Sequence, residues 1–172
     1  MSHRLQLTSA PSVLFLFGLS GAGKSFVGDV IGAHHEWFVY HADDDLTDEM
    51  HQVIAAKQPF TEEMRDQFFC RIVDKINYYR AIYPRLVITQ GAYKKKHRDY
   101  IRQHVSNIDM IYVTTSDRLI HQRLEYRTNG ISNASAEAIK HIFEIPDESV
   151  KKLHNVDGKD EIIQQLNAFY NK

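Results

Sequence analysis

The sequence predicts an α/β fold, a parallel sheet with helices on both faces. Three observations carry this expectation. Short apolar, β-prone runs alternate along the chain with longer segments of helical periodicity. The first of these runs is unbroken, as a strand buried on both faces requires. A glycine-rich turn then leads directly from that run into a helical pattern.

Ser12–Phe17 is the first strand, Lys24–Ala33 a helix and Trp37–His41 a second strand. Leu46–Lys57 is helical up to Pro59, which cannot continue a helix. Thr61 opens a longer helix to about Tyr79: its hydroxyl suits an N-cap, and Glu62 and Glu63 place negative charge where the helix dipole favours it. Arg85–Thr89 is a third strand and Ile108–Thr114 a fourth. Ser116 can cap a helix running to about Arg127, and the polar stretch Thr128–Ala134, with Asn129-Gly130, reads as a loop. Ser135–Phe143 is helical, Val150–Asn155 a weak fifth strand and Asp160–Tyr170 a closing helix. Ligands of such sheets sit at the carboxyl ends of the strands, which directs attention to Gly18–Ser25, His41–Asp45, Gln90–Arg98 and Thr114–Asp117.

Composition narrows the classes. A chain of 172 residues suits one domain of about 100–200 residues. With 43% hydrophobic and 25% charged residues it is neither a disordered tail nor a fibre. Lys+Arg number 21 against 22 Asp+Glu, so a broadly basic nucleic-acid binder is not indicated. The single cysteine, Cys70, allows no intrachain disulfide and suits a reducing compartment. The run Val13–Phe17 is far short of a membrane span of about 18 residues, and a glycine-rich turn follows where a leader would be cleaved. The expectation is a soluble cytoplasmic protein. Ten histidines form no pair at zinc-ligand spacing with a third partner, so no structural zinc is expected.

Gly18-Leu-Ser-Gly-Ala-Gly-Lys24-Ser25 fits G-x-x-x-x-G-K-[ST]. Glycines let successive backbone N–H groups turn inward around phosphate oxygens, and the helix that follows aims its positive end at the same anion. The expected nucleotide ligands are Gly18, Ser20, Gly21, Ala22, Gly23, Lys24, Ser25 and Phe26. Lys24 supplies a point charge at the β- and γ-phosphates of ATP, and Ser25 a hydroxyl to Mg²⁺.

Asp43-Asp44-Asp45 follows the second strand. Three adjacent carboxylates repel one another, so stability gives little reason for them. One carboxylate could orient an acceptor hydroxyl and take its proton while another holds Mg²⁺ through water; Asp44 is the preferred residue. The bland alternative is a solvated turn with Asp45 as an N-cap. After the third strand, Gly91 and Ala92 lead into Lys94-Lys-Lys-His-Arg98. Lys94 and Arg98, four apart, share a helical face that could hold an anionic or polyhydroxylated acceptor, with Arg65 joining them. Lys95 and Lys96 read as solvated charge. Arg123 and Arg127, again four apart, either decorate a surface helix or belong to a lid over ATP, spanning about residues 128–134.

Taken in order, these segments resemble a gluconokinase-type small-molecule kinase, related to shikimate kinases within the P-loop kinase group. The phosphate loop matches G-x-S-G-x-G-K-S. Tyr40–Leu46 is similar to F-x-D/E-G-D-D-L, with Asp44 on the acidic residue that faces the acceptor, and Pro59–Arg65 to P-L-x-D-x-D-R. Val87–Asp99 is similar to V-x-x-C-S-A-L-K-x-x-Y-R-D through Ala92, Lys94, Arg98 and Asp99. Arg123–Arg127 resembles R-L-x-x-R, and Phe143–Glu148 the L-E-x-P…D-E segment that the resemblance places, with Pro146, near the adenine. The resemblance implies a five-stranded parallel sheet with helices on both sides and a short lid, ATP with Mg²⁺, and commonly a homodimer. It implies transfer of the γ-phosphoryl of ATP to a hydroxyl of a small polar metabolite, gluconate or a similar sugar acid being favoured. Alternatives are an adenylylsulfate kinase, a kinase of nucleotides or nucleic-acid ends, or a non-catalytic ATP-binding regulatory domain. Ala42, Thr47, Gln90 and Gly91 depart from the pattern on the acceptor side, and Asn129-Gly130-Ile131 replaces the lid's G-H-F.

Overall fold

The structure, a computed structural model, describes residues 4–34, 36–125 and 133–171, with side chains throughout except at 133–136. Five strands, β1 (Val13–Phe17), β2 (Trp37–His41), β3 (Arg85–Thr89), β4 (Ile108–Thr114) and β5 (Lys151–His154), form one sheet in the order β2-β3-β1-β4-β5. All four pairings are parallel, with Phe15 opposite Ile88 on one side and Met110 on the other. The central strand β1 is buried along its whole length. Val13, Phe15 and Phe17 face one apolar cluster, built with α3 (Glu62–Arg80) and α4 (Lys95–His104). Leu14 and Leu16 face the other, built with α1 (Lys24–Gly32) and α7 (Lys159–Tyr170). The expected three-layer α/β fold is thus present. Among the described residues, no helix is long and apolar enough to cross a membrane.

Differences from the sequence reading are local. Residues Ala42–Asp45 form a single 3₁₀ turn before α2 (Asp48–Ala55). The N-cap of α2 is therefore Thr47, whose Oγ1 accepts from Met50 N at 3.1 Å, and not Asp45. Thr61 caps α3 as expected, accepting from Met64 N at 3.1 Å. The basic stretch runs into α4, which the apolar pattern alone does not reveal because most of its residues are charged. Asp117–Glu125 forms α5 and Asn133–Ile142 forms α6, so the expected loop Thr128–Ala134 gives up its last two positions to a helix. Arg127 and positions 128–132 lie outside the described residues.

The carboxyl ends of β1, β3 and β4 lie side by side at the centre of the sheet, so the loops that follow them meet there.

Candidate active site

The loop after β1 is shaped by close approach. A Cβ on Gly18 would run into the carbonyl oxygen of Val113 on β4. Gly21 and Gly23 take φ of 86° and 87°, a region that favours glycine, and a Cβ on Gly23 would collide with Asn155. Lys24 opens α1 and folds back so that its Nζ donates to the carbonyls of Gly18 and Leu19, both at 3.0 Å. Ser25 is exposed in the first turn, and no side chain caps the helix start. Main-chain N–H groups, an ammonium and a hydroxyl therefore gather at one place, a donor set that suits a polyphosphate with a hard cation.

Arg123 braces this loop from α5. Its guanidinium donates to the carbonyls of Gly21 at 3.1 Å and Ala22 at 3.2 Å, and to Asn155 O at 3.1 Å. Burial lowers the pKa of this guanidinium from its ordinary value. Asn155, 3% exposed, donates from Nδ2 to Ala22 O at 2.9 Å and from its backbone N to Thr114 O at 2.8 Å. Beside them opens a cleft of about 380 Å³ lined by Gly21, Gly23, Phe26, Arg123, Asn155, Val156 and Gly158. Phe26 and Val156 are each 48% exposed, so this cleft offers apolar flanks and a planar cation. Pro146 is not among its lining residues. The 143–146 segment sits instead with the loop after β3: Glu144 N donates to Tyr93 O at 2.9 Å, and Phe143 stacks on Tyr112 at 5.5 Å. Asn155, Val156 and Gly158 went unread in the sequence, where only an Asn-Val-Asp-Gly turn after a weak strand signalled them.

The loops after β2 and β3 form the other half. Gln90 Nε2 donates to Asp43 at 2.8 Å while Gln90 Oε1 accepts from Gly91 N at 2.5 Å. Asp44 is exposed. Asp45 accepts from the Tyr40 hydroxyl at 2.7 Å and faces Arg71 and Lys75 at 3.5 and 3.8 Å. Burial pushes the Asp45 carboxyl up, but the Tyr40 hydrogen bond and the two cations outweigh it and leave the pKa below its usual value. His41 links the strand ends, with Nδ1 2.7 Å from Thr89 Oγ1 and Nε2 2.9 Å from Asp29 on α1.

The basic residues divide. Arg98 is 3% exposed, and its guanidinium donates to the carbonyls of Ala92 (2.7 Å), Tyr93 (3.2 Å) and Glu144 (2.6 Å). It lies 4.8 Å from the centre of the Phe17 ring. In this geometry Arg98 points into the loop it was expected to serve, and it holds Ala92 at a φ of 43°. Lys94 precedes α4 instead of sharing its face with Arg98, and its Nζ is 4.0 Å from Glu144. Lys95 pairs with Asp99, and Lys96 with Glu62 and Asp66, as solvated charges do. Arg65, half-buried on α3, is near enough to His97 for its charge to act on that imidazole. Two bridges bring the halves together: Gly18 N donates to Gly91 O at 3.3 Å, and Ser20 Oγ lies 3.4 Å from the Tyr93 hydroxyl. Among the described residues no cluster of three His, Cys, Asp or Glu could hold a metal.

Superposed on solved structures, the chain matches a gluconokinase from Sinorhizobium meliloti 1021 with a TM-score of 0.79, covering 94% of this chain and 92% of that one at 19% identity. A shikimate kinase from Acinetobacter baumannii matches with a TM-score of 0.64 at 16% identity, covering 96% of each chain. The chain has the P-loop kinase fold. Another protein with this fold, a Mycobacterium tuberculosis APS kinase, matches at a TM-score of 0.69 and 15% identity over 95% of this chain and 99% of that one. In sequence, the chain is 33% identical over 92 residues to a probable gluconokinase of Mus musculus, covering 54% of this chain and 50% of that protein. A probable gluconokinase of Dictyostelium discoideum is 22% identical over 167 residues, covering 90% and 84%. The chain thus spans about half the length of the mammalian relatives it matches. No family model matches it.

Proposed function

We propose that this chain is an ATP-dependent kinase that moves the γ-phosphoryl of ATP to a hydroxyl of a small polar metabolite, with a sugar acid such as gluconate as the first acceptor to test. The observation that carries the reading is the bracing of a glycine-built phosphate loop by Arg123 and Asn155 on one side and by the loop after β3 on the other. Similarity to gluconokinases supports the acceptor class.

In this reading main-chain amides of the loop from Gly21 to Ser25 cradle the phosphates, and Lys24 turns from the carbonyls of Gly18 and Leu19 to the β- and γ-phosphoryl oxygens. The adenine lies in the cleft between Phe26, Arg123 and Val156. Mg²⁺, held by Ser25 Oγ and through water by Asp44, would neutralise charge on the β- and γ-phosphates. Exposed Asp44 orients the acceptor hydroxyl and accepts its proton as the new O–P bond forms and the bond from the γ-phosphorus to the β–γ bridging oxygen breaks, releasing ADP. Lys94 and Arg65 offer charge to the far end of the acceptor, behind a loop that Arg98 keeps in shape. Arg127 is assigned to the transferring phosphoryl on its sequence spacing from Arg123 alone.

The test is ATP consumption with Mg²⁺ over a panel of gluconate, other sugar acids, polyols, shikimate, nucleosides and adenylylsulfate. Turnover with gluconate or another sugar acid supports the reading. Turnover with adenylylsulfate or a nucleoside moves the acceptor to those classes. Tight ATP binding with no turnover across the panel leaves a nucleotide-binding regulatory domain.

A further inference from the structure

We propose that Tyr93 is a positioning residue for the terminal phosphoryl group, acting with Ser20 across the gap between the phosphate loop and the acceptor loop. The inference rests on the nucleotide reading above and adds a residue to it.

The loop carrying Tyr93 is fixed at nearly every main-chain group. Gly91 N donates to Gln90 Oε1, Gly91 O accepts from Gly18 N, and Arg98 takes the carbonyls of Ala92 and Tyr93. The Tyr93 ring folds back over Gly91 so closely that a Cβ there would collide with it, and its other side meets Phe143 edge-on at 6.2 Å. Held between those two, the ring delivers its hydroxyl to 3.4 Å from Ser20 Oγ.

The main chain links that place to the Lys24 ammonium. Ser20 follows Leu19, whose carbonyl, with that of Gly18, receives Lys24 Nζ. In a phosphate loop this ammonium serves the β- and γ-phosphates. A separation of 3.4 Å is long for a hydrogen bond between two hydroxyls. It is short enough for both O–H groups to donate to one phosphoryl oxygen lying between them. The pattern that the chain resembles has Ser-Ala-Leu where this chain has Gly91-Ala92-Tyr93. In the fold these two exchanges are one change, because the ring occupies the space that a side chain at 91 would take.

Calorimetry with Mg²⁺ and either the non-hydrolysable analogue AMPPNP or ADP tests this without any acceptor. Tyr93→Phe keeps the ring and deletes the hydroxyl. The expected result is AMPPNP affinity reduced about five- to tenfold, the effect of one charge-assisted hydrogen bond, with ADP affinity within about twofold of wild type. Ser20→Ala should show the same selectivity, and the double variant should lose less than the two single losses combined. Wild-type affinity for AMPPNP in Tyr93→Phe, or an equal loss for both nucleotides, overturns the proposal. A wild-type protein that binds neither nucleotide overturns the kinase reading itself, and this inference with it.

Discussion

The phosphate loop and the loop after β3 occupy neighbouring strand ends, yet they are built by different means. After β1 the shape is made by main chain: glycines at positive φ, carbonyls that accept from Lys24 and Arg123, and a helix start without a side-chain cap. After β3 it is made by side chains reaching in from distant segments: Gln90 to Asp43, Arg98 to the carbonyl of Glu144, Tyr93 across Gly91. A surface made of main chain tolerates few residue types at each position. One made of side-chain pairs can be exchanged in compensating groups. Two departures from the gluconokinase-like pattern, Gln90 and Gly91, fall on the second kind of surface, while the phosphate loop matches throughout.

This contrast can be broken by substitution. The largest effect is expected from Lys24→Ala, which removes the only side-chain charge in the phosphate loop; kcat/KM for ATP should fall about 10²–10³-fold, about 3–4 kcal/mol, with the thermal midpoint little changed. Near-normal turnover would show that the loop does not handle the reacting phosphates. Next, Asp44→Asn should lower kcat about 10²-fold while calorimetric ATP affinity stays within about twofold, and intact kcat would return the acidic turn to simple solvation. Arg98→Met should act on the fold instead: the carbonyls of Ala92 and Glu144 lose the guanidinium donor and that of Tyr93 keeps only Glu144 N, which costs about 3 kcal/mol, read as a lower urea midpoint and, in the folded fraction, a raised KM for the acceptor but not for ATP. Equal losses for both substrates would mean that the two loops are one unit.

The smallest effect concerns the α3–α4 contact behind the acceptor loop. His97 is buried, 2.7 Å from Asp66 and stacked on Phe69. Burial lowers its pKa from 6.5, against the pull of Asp66 and with a smaller push from Lys96 and Arg65. The folded state therefore binds this proton less readily than the unfolded chain. Its contribution to stability is full above 6.5 and is lost as pH falls from 6.5 through the lowered value. His97→Gln should flatten the stability–pH curve in that window, measured by urea midpoints. An unchanged slope would assign the acid sensitivity to the carboxylates.

Much of this was legible because it is local. All five strands lie within a residue of the runs read for them, the weak fifth included, and the central β1 was clearest because a strand buried on both faces has no polar side to confuse the pattern. The phosphate loop was legible because its glycines answer local backbone needs. What stayed hidden depends on partners remote in the chain. The pair Lys94 and Arg98 suggested one outward face, but spacing on a charged helix cannot distinguish a guanidinium facing solvent from one buried against its own loop and a carbonyl 46 residues away. Asn155 is a lone polar residue after a short strand, and its importance is visible only when Ala22 stands beside it. The resemblance places Pro146 near the adenine, and the sequence alone does not show that Glu144, two residues before it, is bonded to Tyr93.

The clasp between Asn155 and Ala22 joins groups 133 positions apart. During synthesis the ribosome delivers the amino-terminal glycines long before the residue that locks them. Gly91 and Arg123, which also hold that turn, are made before Asn155, so of these braces the clasp is the last that translation allows.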